Sequence, residues 1–215
     1  MKLFLDSAIV KDILPRVKSG LISGVTTNPT LIKKSGRDPL DVYRELSHDV
    51  SDISMEVVAQ DLPQFIDESL KLSDYFGDIA TIKVPCTDIG LKTCKYLANR
   101  GIRVNVTLVF SSSQAILAAL AGATYVSPFV GRMDDNSLNG LGLIADISNI
   151  FQKHKVDTQI LAASIRDTQS VARAFGLGAN ICTIPVKVFD GMSQHVLTDK
   201  GLDQFDHDYM ASVKN

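Results

Sequence analysis

Lys83 stands in the run Ala80-Thr-Ile-Lys-Val-Pro85, flanked by Ile82 and Val84. A lysine in so short an apolar run has two readings. Either it is solvated on a fraying strand, with its stem lying along the surface, or it points into an interior site. Lysine is seldom buried without a partner, and the strands of a parallel sheet are covered on both faces. An interior position strips the side chain of water and so favours its neutral amine. A neutral amine attacks a carbonyl and forms an iminium, an electron sink for breaking a C–C bond. That chemistry needs neither a metal nor a cofactor. The sequence offers no His-Glu-x-x-His pattern, and His48, His154, His195 and His207 are scattered along it.

Aldol cleavage also requires a base for the hydroxyl proton of the departing carbon, and imine formation requires a group that shuttles protons as water leaves. Asp6 and Glu56 are the candidates. Asp6 follows Leu3-Phe-Leu5 at the end of a short apolar run. Its plain alternative is an N-cap for a helix starting near Ala8, a task Ser7 could share. Glu56 lies between Met55 and Val57, where a solvated charge is out of place and an ion pair on the strand face is the alternative. Cys86 lies near Lys83 but has no histidine close in sequence, so it reads as a partly buried thiol. Gly140-Leu-Gly-Leu-Ile-Ala145 matches a dinucleotide-binding pattern, yet it follows a polar loop instead of a strand.

The elements that must position these groups alternate along the chain. Short apolar or β-branched runs predict strands at 2–6, 24–27, 53–59, 81–85, 104–108, 125–129, 159–164 and 180–185. Helical periodicity fills the gaps, as at 88–100, 111–121 and 138–154, and Gly101 and Gly122 are stop signals. Eight strands alternating with helices in 215 residues predict a single-domain α/β protein, a (β/α)8 TIM barrel, with an open doubly wound sheet as the alternative. In such barrels functional side chains sit at the C-terminal strand ends. There the sequence places Asp6, Thr27 with Asn28, Glu56, Lys83, Asn105 with Thr107, Ser127, and Ser164 with Arg166, while the last strand, near Thr183, contributes little. A further helix at about 199–214 aligns Leu202, Phe205, Tyr209 and Val213, a face that packs either on its own barrel or on a neighbouring subunit.

Composition narrows the classes. A net charge of −2 gives no sign of a nucleic-acid or membrane-surface partner, and no apolar stretch approaches the roughly 20 residues of a membrane span. Asp6 and Asp12 interrupt the N-terminal apolar run, which therefore reads as strand and helix and not as a signal peptide. Cys86, Cys94 and Cys182 form no Cys-x-x-Cys pair, as expected of a cytoplasmic protein.

Several segments resemble the transaldolase family. Gly24-Val-Thr-Thr-Asn-Pro-Thr30 is similar to its second-strand signature, and Thr81-Ile-Lys-Val-Pro85 to the segment around its Schiff-base lysine. Asn105-Val-Thr-Leu-Val-Phe-Ser111, Val126-Ser-Pro-Phe-Val-Gly-Arg132 and Leu161-Ala-Ala-Ser164 resemble three further signatures, in order along nearly the whole chain. The length fits the short branch, which holds small transaldolases and fructose-6-phosphate aldolases. The resemblance implies that Lys83 is the nucleophile, Asp6 the general base, and Glu56 with Thr107 the holders of a catalytic water. It implies that Asn28 and Asn105 bind hydroxyls of a dihydroxyacetone unit, with Ser127 in the same pocket, and that Arg132, Ser164 and Arg166 hold a sugar phosphate.

The aldolases carry Gln and Tyr where this chain has Glu56 and Phe129. A Phe cannot donate a proton to an enamine, so the resemblance implies transfer between sedoheptulose 7-phosphate and glyceraldehyde 3-phosphate, as in the pentose phosphate pathway. An aldolase or a non-catalytic sugar-phosphate binding protein is the alternative. Short-branch relatives commonly form decameric rings, so the resemblance also implies a homo-oligomer.

Overall fold

Eight short strands pair in parallel in sequence order, and the eighth pairs back with the first, so the sheet closes on itself. The computed structural model describes residues 1–213. The strands are β1 (Lys2–Asp6), β2 (Ile22–Thr26), β3 (Ile53–Glu56), β4 (Ala80–Pro85), β5 (Val104–Val109), β6 (Tyr125–Pro128), β7 (Gln159–Ala162) and β8 (Ile181–Ile184). The helices are α1 (Val10–Val17), α2 (Pro29–Ser35), α3 (Pro39–Leu46), α4 (Leu62–Phe76), α5 (Asp88–Ala98), α6 (Ser112–Leu120), α7 (Val130–Asp134), α8 (Gly140–His154), α9 (Thr168–Gly176), α10 (Val186–Gly191) and α11 (Val196–Val213). Closure makes this the (β/α)8 barrel instead of an open sheet, and it leaves no strand edge unpaired.

The helix starts follow from local chemistry. Asn28, Asp38, Asp61, Thr87, Ser111, Asn139 and Asp167 each accept a backbone N–H from the first turn of the helix they precede. Such a cap contributes about 1 kcal/mol. The Gly140-Leu-Gly segment is the capped first turn of α8 and follows α7, so the strand that a dinucleotide site requires is not before it. Strand limits differ from expectation by a few residues. β2 begins earlier, at Ile22, paired with Leu3; β3 stops at Glu56, paired with Lys83; and β7 stops at Ala162, beyond which Ala163 keeps an isolated bridge to Phe129.

Pleating sorts the side chains into two cores. Leu5, Val25, Ile53, Met55, Ile82, Val84, Val106, Ile160 and Ile184 face outward into one apolar layer beneath the helices. The alternate residues face inward, where Phe4, Tyr125, Leu161, Ala163 and Ile181 form a separate cluster. At the N-terminal end of the barrel a polar plug closes the interior. The buried Asp52 carboxylate accepts from Tyr125 (2.7 Å), Arg103 (2.7 Å) and Thr81 (2.8 Å). Gly24 makes room for it, since a Cβ there would lie 2.6 Å from the Phe4 ring and 2.8 Å from the Asp52 carbonyl oxygen.

Helix α11 begins at Val196, and Lys214, the last residue of the expected helix, lies outside the described residues. None of its residues is buried; Leu202, Phe205, Tyr209 and Val213 are 56%, 70%, 67% and 64% exposed. Its apolar face therefore does not pack on its own barrel, one of the two arrangements the sequence allowed. Among the described residues no helix is long and apolar enough to cross a membrane.

Candidate active site

Parity decides where Lys83 points. Ile82 and Val84 occupy the outer core, so Lys83 turns inward, and it is 4% exposed. Its Nζ donates to the Thr27 carbonyl oxygen at 2.8 Å and to Glu56 Oε2 at 2.9 Å. The parallel register sets Glu56, Lys83 and Asn105 side by side on three successive strands. Burial was expected to leave a neutral amine. The structure sets the Glu56 carboxylate 2.9 Å from the amine, within reach to take up a proton from it before it attacks a carbonyl.

Asp6 is not a helix cap. Ser7 Oγ accepts from the Ile9 N–H at 3.1 Å, and Asp6 turns into the barrel, where Thr26 Oγ1 donates to its Oδ1 at 2.9 Å. Burial holds its carboxyl above the ordinary range; Lys83 and the Thr26 hydrogen bond act against this, and Glu56 adds to it. A carboxylate whose charged form is held at a disadvantage is a proton acceptor ready for use.

Polar side chains on neighbouring strands tie the floor together. Asn105 is fully buried; it donates to Ser54 Oγ at 3.2 Å and accepts from Ser127 Oγ at 2.7 Å. Thr107 Oγ1 is buried with no hydrogen-bond partner, a condition that costs free energy unless something else occupies the site. The register with β6 slips between Val106 and Val109, and Leu108, next to Thr107, has φ +59°. A left-handed Leu is strained by about 1–2 kcal/mol, and bulges of this kind gather beside active sites. Asn28 spends its Oδ1 on the Leu31 N–H at 2.9 Å, which leaves its amide protons for the cavity.

A cavity of about 110 Å³ is lined by Asp6, Asn28, Lys83, Asn105, Thr107, Ser127, Phe129, Arg132 and Ser164, together with Thr26, Leu161, Ala163 and Thr183. Nine of the eleven expected residues are thus brought to one place. Glu56 is not on its wall but reaches Lys83 from the adjoining strand. Phe129 packs at 5.8 Å from the Phe110 ring and carries the Arg132 guanidinium 4.9 Å above its face. Ser164 sits at φ +58°, and its carbonyl accepts from the Gly131 N–H, an approach that a Cβ at Gly131 would block at 2.2 Å.

Arg166 departs from expectation. It is exposed, bound by both guanidinium arms to Asp135, and lines a separate depression with Asp134, Asp167 and Ser170. A larger groove of about 840 Å³ lies between α6 and α8, away from all these groups.

The sequence missed Thr26 and Thr183. Both are 2% exposed, and their Oγ1 atoms lie 2.6 Å apart. The last strand, expected to contribute little, therefore supplies a hydroxyl against Thr26, the residue that donates to Asp6; the signal was the inward parity Thr183 shares with Ile181. None of the three cysteines lines the cavity. Burial pushes Cys94 and Cys182 up to about 12 and raises Cys86 as well.

A buried lysine paired to a carboxylate, a second carboxylate facing it and a wall of hydroxyl and amide groups at the C-terminal mouth define a class: barrel enzymes of the lysine Schiff-base type. The chain belongs to the transaldolase/fructose-6-phosphate aldolase family, whose model matches residues 3–215. It is 50% identical over 210 residues to a probable transaldolase of Cereibacter sphaeroides, covering 97% of this chain and 95% of that one. It is 49% identical over 216 residues to a probable transaldolase of Clostridioides difficile, covering 100% of both. A crystal structure of inosine 5′-monophosphate dehydrogenase from Legionella pneumophila superposes with a TM-score of 0.63 at 14% identity, over 87% of this chain and 58% of that one. That likeness reflects the shared barrel alone.

Proposed function

We propose that the protein is a transaldolase of the pentose phosphate pathway. It carries a dihydroxyacetone unit from sedoheptulose 7-phosphate to glyceraldehyde 3-phosphate. The single observation that carries this reading is Lys83, buried at the mouth of the barrel between Glu56 and the Thr27 carbonyl. Lys83 gives a proton to Glu56 and adds to the donor C2 carbonyl; the carbinolamine loses water to form the iminium. Asp6 takes the C4 hydroxyl proton, the C3–C4 bond breaks, and its electron pair flows into the iminium to give an enamine. Erythrose 4-phosphate leaves as the aldehyde. The enamine carbon then attacks glyceraldehyde 3-phosphate, whose carbonyl oxygen takes the proton back from Asp6. Hydrolysis of the new iminium releases fructose 6-phosphate and the free amine.

The water taken up and released in these steps is assigned to Glu56 and Thr107, and the unpartnered Thr107 hydroxyl suits that task. Asn28, Asn105 and Ser127 hold the hydroxyls of the three-carbon unit. Arg132 and Ser164 take the phosphate, and Arg166 joins them by leaving Asp135. Phe129 offers the enamine no proton, which favours transfer over release. The exposed apolar face of α11 and the three free cysteines fit a cytoplasmic homo-oligomer.

Borohydride reduction in the presence of fructose 6-phosphate, followed by peptide mass spectrometry, tests the reading. A three-carbon adduct appears on the Lys83 peptide, and Lys83→Met loses both the adduct and turnover, by at least about 10³-fold. An unmodified Lys83 peptide overturns the mechanism. Rapid dihydroxyacetone release without an acceptor aldehyde makes the protein an aldolase, and tight ligand binding without turnover makes it a binding protein.

A further inference from the structure

Thr26 on β2 and Thr183 on β8 meet across β1, with Oγ1 atoms 2.6 Å apart, and Thr26 Oγ1 also lies 2.9 Å from Asp6 Oδ1. Each hydroxyl has a single proton, and an ionised carboxylate only accepts. Thr26 must therefore donate to Asp6, and the proton between the two threonines must come from Thr183. The donors run one way, from Thr183 to Thr26 to Asp6. Asp6 Oδ2 has no hydrogen-bond partner among the described residues.

Neither threonine is required to fill space. Valine has the same shape, and apolar residues of the inner cluster adjoin the pair, with Phe4 opposite Thr183 in the sheet and Ile181 two residues before it. What the two hydroxyls gain over two methyl groups is a charge-assisted bond to the carboxylate, about twice as strong as a neutral one and strengthened further by the second donor behind it.

We propose that Thr26 and Thr183 are positioning residues of the reaction: a directional pair of hydroxyls that fixes one oxygen of Asp6 and leaves the other as the working base. This rests on the reading of Asp6 as that base. The charged groups that act on Asp6 are Lys83 and Glu56. β2 has no titratable residue, and the one on β8, Cys182, lies in the outer core. Of the elements behind β1, α10 carries Lys187 and Asp190, the latter paired with Arg16 outside the barrel.

The test is the pH dependence of kcat, with fructose 6-phosphate as donor, in Thr26→Val, Thr183→Val, the double variant and the two Thr→Ser variants. In Thr26→Val the acid limb moves to higher pH, because a donor to the charged form of Asp6 is lost, and kcat at neutral pH falls about tenfold while KM stays within about twofold. Thr183→Val moves the limb the same way but less. The double variant matches Thr26→Val alone, since Thr183 works only through Thr26. Serine at either position restores the wild-type profile.

An unmoved acid limb in a normally folded Thr26→Val overturns the proposal, as does a double variant whose effects add. If a valine variant fails to fold, the smaller Thr26→Ala or Thr183→Ala replaces it with the same required result. The borohydride adduct on Lys83 is measured alongside. Its absence in the wild-type protein defeats the Schiff-base reading, whereas its presence with an unmoved limb defeats only the relay.

Discussion

Two half-buried carboxylates at the mouth of this barrel meet different surroundings. Glu56 has its counter-ion, Lys83, at 2.9 Å. Asp6 has a hydroxyl donor, and burial still holds its carboxyl above the ordinary range. The folded state therefore binds a proton at Asp6 more tightly than the unfolded chain does, so stability falls as pH rises from about 4, the unfolded value, through the raised folded one. Above that folded value the whole penalty is present. Asp6→Asn removes it and keeps an acceptor for Thr26. The variant should melt up to a few degrees higher than wild type at pH 7, with the gain vanishing below about pH 4, while turnover drops at least about 100-fold. Calorimetry at the two pH values with a parallel activity assay checks this. A lower melting point at pH 7 contradicts it.

At the scale of elements, strand alternation does most of the positioning. Lys83 was legible because Ile82 and Val84 demand an apolar layer, which leaves one direction for the residue between them. Glu56 and Asn105 were legible for the same reason. The bulge at Leu108 was not, because nothing in Val-Asn-Val-Thr-Leu-Val marks a residue for positive φ; it arises from the register slip against β6. The plug around Asp52 was also invisible, since its partners come from three separate segments. Gly24 ties that plug to Phe4. Gly24→Ala should destabilise the barrel by about 1–3 kcal/mol, as a new Cβ must displace the Phe4 ring or the Asp52 backbone. Urea unfolding measures this, and a change below 0.5 kcal/mol or so shows that the interior gives way freely.

For the whole molecule the exposed surface of α11 decides how it behaves in water. Eighteen residues leave the barrel with Phe205 at 70% and Tyr209 at 67% exposure, too large an apolar face for a helix alone in water. A second copy of the chain is the expected cover. Phe205→Glu with Tyr209→Glu should reduce the mass found by light scattering to that of a single chain. A wild-type protein that is already monomeric at micromolar concentration removes the expectation.

Sequence alone determined the alternation of strands and helices and the polar character of their C-terminal ends, and it favoured an inward lysine over a solvated one. These are local properties: periodicity, caps and parity are each written within a few neighbouring residues. The tertiary structure decided closure, the Lys83–Glu56 ion pair, the binding of Arg166 to Asp135 away from the cavity, and the meeting of Thr26 with Thr183 across 157 residues of chain. Each of these depends on the register between strands or on the packing of separate loops, and no stretch of sequence records such distances because they are set only when the sheet closes.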